Sequence, residues 1–95
     1  MKQLFYTFPG TVSAVRRAHV GVVGSGDLEI LVEPADSGIT VALRTSVDGF
    51  DTIWQAVLER FFSRTDLAAK VQINDFGATP GTVALRLAQA VEAAQ

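Results

Sequence analysis

The 95-residue chain predicts an α+β fold. The expected architecture is an antiparallel β-sheet of about four to five strands with two helices packed on one face, in the order β-β-β-β-α-β-α. Three observations predict it. Short runs in the first half alternate apolar and polar residues, the period of a half-buried strand. From Phe50 the period lengthens to that of an amphipathic helix. A second helical run follows Pro80 near the end of the chain. The alternating runs leave the sheet one apolar face, and the helices supply its cover.

The first run, "KQLFYTF", is rich in aromatic and apolar residues and stops at the turn signal Pro9-Gly10. It reads as a short strand. In "SAVRRAHVGVVG", Ala18, Val20 and Val22 fall on one side of a strand and Arg17 and His19 on the other. "GSGD", residues 24–27, reads as a hairpin turn. "LEILVE" then places Leu28, Ile30 and Val32 on one face with Glu29 and Glu33 opposite. After the "EPADSG" turn, "ITVALRT" places Ile39, Val41 and Leu43 together. These runs predict a three-stranded antiparallel meander with the first strand at its side.

The strongest periodic signal comes next. Phe50, Ile53, Trp54, Val57, Leu58, Phe61 and Phe62 form one helical stripe. Asp48 or Asp51 can cap its start, and Arg60 and Arg64 suit the negative end of its dipole. "AKVQIND" reads as another strand with Val71 and Ile73 inward. "FGATPG" breaks it, Thr79 has the character of an N-cap, and Pro80 suits the first helical position. The last helix is expected to bury Ala84, Leu87, Ala88 and Val91. No repeat, linker or low-complexity stretch interrupts residues 1–95, which read as a single domain.

Composition narrows the function. The chain is 48% apolar and 19% charged, a globular balance. A net charge of −2 argues against a nucleic-acid partner. With no cysteine there is no disulfide, zinc-thiolate site or thiol nucleophile, and one histidine cannot build a histidine-rich metal site. No apolar run is long enough to insert in a bilayer. "MKQLFYTFPG" lacks the marks of a signal peptide. A cytoplasmic protein is the expectation.

Three chemistries compete for the glycine-flanked Ser25. Nucleotide binding by Gly21, Gly24 and Gly26 fails on context, because these glycines lead into a strand and no lysine is near. A catalytic serine needs a base and an oxyanion site. His19, the single histidine, lies six residues away along the expected hairpin, a span of about 20 Å. His19 instead reads as a structural or surface side chain, and neither catalytic nor metal-ligating residues are expected. The third reading makes Ser25 an acceptor for another enzyme's group. Gly24 and Gly26 leave room for a second active site to close over the hydroxyl. On turn chemistry alone a bare hairpin turn is the favoured reading, and composition and spacing go no further.

The residues also carry a resemblance. "VGVVGSGDLEILVE", then "TSVDGF", then "INDFGATPGTVALRLAQAVEAA" resemble, in order and spacing, the acyl carrier (delta subunit) family of malonate decarboxylase. The acyl carrier (gamma) subunit of citrate lyase is a more distant relative that shares the serine–glycine–aspartate turn. The resemblance implies a non-catalytic carrier. Ser25 would hold, through a phosphodiester, a prosthetic group derived from 2'-(5''-triphosphoribosyl)-3'-dephospho-coenzyme A (dephospho-CoA), with Gly24, Gly26 and Asp27 as the supporting turn. The thiol of that arm would hold acetyl and malonyl groups in turn. The implied partners are the acetyl/malonyl transferase subunit, the decarboxylase subunits and the enzyme that loads the arm. Two alternatives stand beside it, the citrate lyase carrier and an unmodified interaction module.

Asp27 reads as a turn-holding side chain, with assistance to the loading enzyme as its functional alternative. Arg16 and Arg17 read as solvated, with phosphate contact as theirs. Trp54 reads as core. Asp75, Phe76 and Gly77 read as the strand-to-helix turn, with subunit docking as the alternative.

Overall fold

A computed structural model describes residues 2–21, 27–46 and 49–95. The elements run β1 (Lys2–Phe8), β2 (Val12–Ser13), β3 (Ala18–Val20), β4 (Leu28–Pro34), β5 (Ile39–Thr45), α1 (Asp51–Phe62), β6 (Leu67–Asp75) and α2 (Pro80–Ala94). The α+β class and the order of main elements are as expected, with the two-residue β2 added.

The sheet differs from the expected meander. Its order is β1-β5-β6-β4-β3, with β2 pairing beside β6. β4 and β5 are not neighbours, because β6 lies between them. β6 runs antiparallel to β4, Leu28 opposite Asp75, and parallel to β5, Thr45 opposite Asp75. The sheet is therefore mixed rather than wholly antiparallel. The physical reason is α1, which carries the chain from the end of β5 back to its start, so the next strand enters in the same direction. β6 takes the centre and buries more residues than any other described strand: Leu67, Ala68, Ala69, Val71, Ile73 and Asp75.

The inward residues of β4 (Leu28, Ile30, Val32) and β5 (Ile39, Val41, Leu43) pack with Val71 and Ile73 beneath the two helices. α1 contributes Trp54, Leu58 and Phe62. α2 contributes Val83, Leu87, Ala90, Val91 and Ala94. The expected Ala84 and Ala88 face solvent instead. In a helix this rich in alanine a small side chain marks no face, and the larger Val83, Leu87 and Val91 set the rotation. Phe50 and Ile53, at the start of the α1 stripe, are each 45% exposed.

Thr79 caps α2 as expected. Its hydroxyl accepts from the Thr82 N–H at 3.3 Å, and Pro80 is the first helical residue. α1 has no side-chain cap. Phe50 occupies the cap position, and Asp51, the first helical residue, pairs with Lys2 Nζ at 2.8 Å. Asp48 lies outside the described residues, so only Asp51 of the two expected caps can be placed. The start of β4, the ends of β5 and β6, and the N-termini of both helices share one end of the sheet. No described helix is long and apolar enough to cross a membrane.

Candidate functional site around Asp27

Gly24, Ser25 and Gly26, the turn expected from sequence, lie outside the described residues, as do Val22 and Val23; Gly21 and Asp27 are the described residues on either side. Gly21 closes the base of this hairpin on the β3 side. Its φ is +93°, and an added Cβ would stand 2.1 Å from the Leu28 carbonyl oxygen. Only glycine tolerates both the conformation and the approach. Gly21 thus has a structural task, unrelated to nucleotide binding.

Asp27 closes the other side. Its carbonyl accepts from the Phe76 N–H at 2.9 Å, which extends the β4–β6 pairing by one rung. Its carboxylate Oδ1 accepts from the Leu28 N–H at 2.7 Å. This is the turn-holding role expected from sequence. The Arg86 guanidinium adds two longer contacts, Nη2 to Oδ2 at 3.2 Å and Nε to Oδ1 at 3.5 Å. The Leu28 N–H first, and then Arg86, hold the Asp27 carboxyl below the usual carboxylate range. A carboxylate so stabilised as an anion is a poor proton acceptor near neutrality.

Arg86 was not singled out in the sequence. It reaches Asp27 across 59 positions of chain from the second turn of α2. Nη1 also donates to Gln89 Oε1 at 3.2 Å. One signal could have found it: Arg86 is the single cation in an α2 whose other charge is Glu92. A lone cation at the half-exposed rim of an apolar helix calls for an anion.

Asp75 belongs to the same end but not to the same kind of site. It is 2% exposed. Oδ2 accepts from the Thr45 hydroxyl at 2.8 Å, and Oδ1 from the N–H groups of Gly77 (3.3 Å) and Ala78 (2.9 Å). Asp75 and Gly77 therefore build the strand-to-helix turn, the favoured reading from sequence. Gly77 takes φ +99° there.

His19 is drawn to the opposite face of the sheet. Its Nε2 lies 2.9 Å from Glu29 Oε2, while Asn74 Nδ2 donates to Glu29 Oε1 at 2.9 Å. The Asn74 bond first, then His19, lowers the Glu29 pKa. The histidine is thus an exposed side chain partnered to a carboxylate on the face away from α2. Arg17 lies 3.6 Å from Glu33 on that same face, and Arg16 is exposed. Trp54 is core, as expected. Among the described residues no group of three or more His, Cys, Asp or Glu gathers as a metal site.

Residues 15–94 match the family model described as "Malonate decarboxylase delta subunit (MdcD)", an acyl carrier model. The chain belongs to this malonate decarboxylase acyl carrier family. The family's curated members include the malonate decarboxylase acyl carrier protein of Pseudomonas aeruginosa strain LESB58. It is 49% identical over 96 residues, which cover 99% of this chain and 97% of that protein. The corresponding protein of Azotobacter vinelandii is 48% identical over 94 residues, covering 97% and 95%. A chain in the crystal structure of a Pseudomonas malonate decarboxylase hetero-tetramer in complex with malonate superposes with a TM-score of 0.94. It is 44% identical, over 100% of both chains. That malonate decarboxylase chain therefore shares this fold over its full length.

Proposed function

We propose that this chain is the acyl carrier subunit of a cytoplasmic malonate decarboxylase. Ser25 carries the arm derived from 2'-(5''-triphosphoribosyl)-3'-dephospho-CoA through a phosphodiester. The observation that carries the reading is the full-length likeness to relatives named as malonate decarboxylase acyl carrier proteins, which spans the glycine-flanked serine.

The donor set near the turn suits a phosphate-linked group. Arg86 is a half-exposed guanidinium at the residue that follows Ser25 by two positions, and its planar fork suits phosphate oxygens. Asp27 and Gly21 fix where the loop leaves the sheet. Asp27 is committed to Leu28 and Arg86 as an anion, and His19 to Glu29, so neither activates a hydroxyl. That suits an acceptor serine, whose proton is removed by the loading enzyme. The arm's terminal thiol supplies thioester chemistry for which this cysteine-free chain has no group of its own. The chain's own part is to present the arm to the transferase and decarboxylase subunits at high local concentration.

Intact mass of the protein purified from its native host tests this. The expected result is a single large adduct, absent in Ser25→Ala with the fold retained by circular dichroism. An adduct that survives Ser25→Ala, or a native-host protein of bare mass, overturns it. The loaded complex should release carbon dioxide from malonate. Formation of oxaloacetate from citrate would assign the chain to citrate lyase instead.

A further inference from the structure

α1 and α2 leave an open groove of about 760 Å³ between them, away from Asp27 and the open sheet face. Its wall includes Ile53 and Val57 from α1 and Ala84 and Val91 from α2. The apolar stripe of α1 is wider than the core it covers, and Ile53 is left 45% exposed. The charged residues of the groove are Arg60 and Arg64, and both are cations. Neither guanidinium has a side-chain partner among the described residues. On a chain with a net charge of −2, this face is locally basic.

We infer that this groove docks an amphipathic helix of a partner subunit that carries acidic side chains along its flank. The inference rests on the carrier reading above and adds the surface by which the carrier is held. Three observations select this occupant. On α1 the groove is lined from Ile53 to Phe61, about 12 Å of helix, room for a peptide segment. Arg60 lies in the last turn of α1 and Arg64 just past its end, so both cations stand at one end of the groove, where acidic side chains on a facing helix complement them. A two-fold contact with a second copy is disfavoured, because the same face has no acidic side chain among its lining residues to pair with Arg60 and Arg64. The arginines stand at the far end of α1 from the Asp27 turn. A partner gripping them leaves the Asp27 end of the sheet, two positions from Ser25 in sequence, uncovered.

The test uses labelled carrier titrated into a complex of the other malonate decarboxylase subunits at several salt concentrations. The double variant Arg60→Glu/Arg64→Glu should weaken binding at least tenfold. Arg60→Gln/Arg64→Gln should weaken it less and flatten the salt dependence. Ala84→Trp, which fills the groove from an exposed position, should weaken binding without altering salt dependence. Loading of Ser25, read by intact mass, should be unchanged in all three. Unchanged affinity in the charge-reversal and Ala84→Trp variants overturns the groove and leaves the carrier reading intact. A wild-type chain that enters no such complex overturns both. A concentration-dependent dimer abolished by the charge reversal also overturns the inference, since the occupant would then be a second copy.

Discussion

Two aspartates stand at the same end of the sheet and do opposite work. Asp75 is sealed in, and its carboxylate is consumed by one hydroxyl and two backbone N–H groups of this chain. Asp27 lies next to it in the ladder, beside Leu28, which is opposite Asp75. It remains partly exposed and shares its carboxylate between Leu28 and a cation from α2. Burial makes the first a structural part whose removal strands donors. Exposure leaves the second open to exchange its partners with solvent. Similar chemistry serves two purposes, and solvent access separates them.

The contrast breaks most readily at Asp75. Asp75→Ala leaves the Thr45 hydroxyl and two N–H groups without their acceptor and should cost about 3 kcal/mol in urea unfolding. A loss below about 1 kcal/mol would show that water replaces the carboxylate and that burial is not the deciding factor.

Gly21→Ala probes the base of the Asp27 loop by a different mechanism, strain rather than lost bonds. Positive φ and the approach to the Leu28 carbonyl together should cost about 2 kcal/mol by the same measurement. Thr45→Val removes one donor to Asp75 and keeps the shape, so about 1 kcal/mol is expected.

Asp27→Asn should be the mildest, a small loss of melting temperature at neutral pH. That deficit should shrink in acid, where the wild-type carboxylate is protonated as well. The folded-state pKa lies below the ordinary 3.8, so the ionised carboxylate stabilises the fold above that value. The contribution is lost as pH falls through the depressed folded value. The variant should therefore show a flatter stability profile below about pH 4. A wild-type acid limb that Asp27→Asn leaves unchanged would remove the Arg86 contact from the account. Arg86→Gln should slow arm loading, followed by intact mass, with little change in melting.

Much of this end of the molecule could be read along the chain. The alternation of "LEILVE" and "ITVALRT" places Leu28, Ile30, Ile39 and Val41 inward, and each is buried. Thr79-Pro80 marks the α2 start correctly. Strand order could not be read, because backbone ladders are made by groups every residue shares. The meander expectation therefore missed that β6 separates β4 from β5. The α2 face was half right, since alanine gives no directional signal. Arg86 escaped because its partner lies 59 positions away.

What the sequence determined by itself is the periodicity, the turn chemistry and the serine between two glycines, because each is a property of a few consecutive residues. What only the tertiary structure decided is the parallel entry of β6, the burial that separates Asp75 from Asp27, and the approach of Arg86 to the loop. Those depend on segments far apart in the chain meeting in space, and that meeting is set by packing the whole core at once.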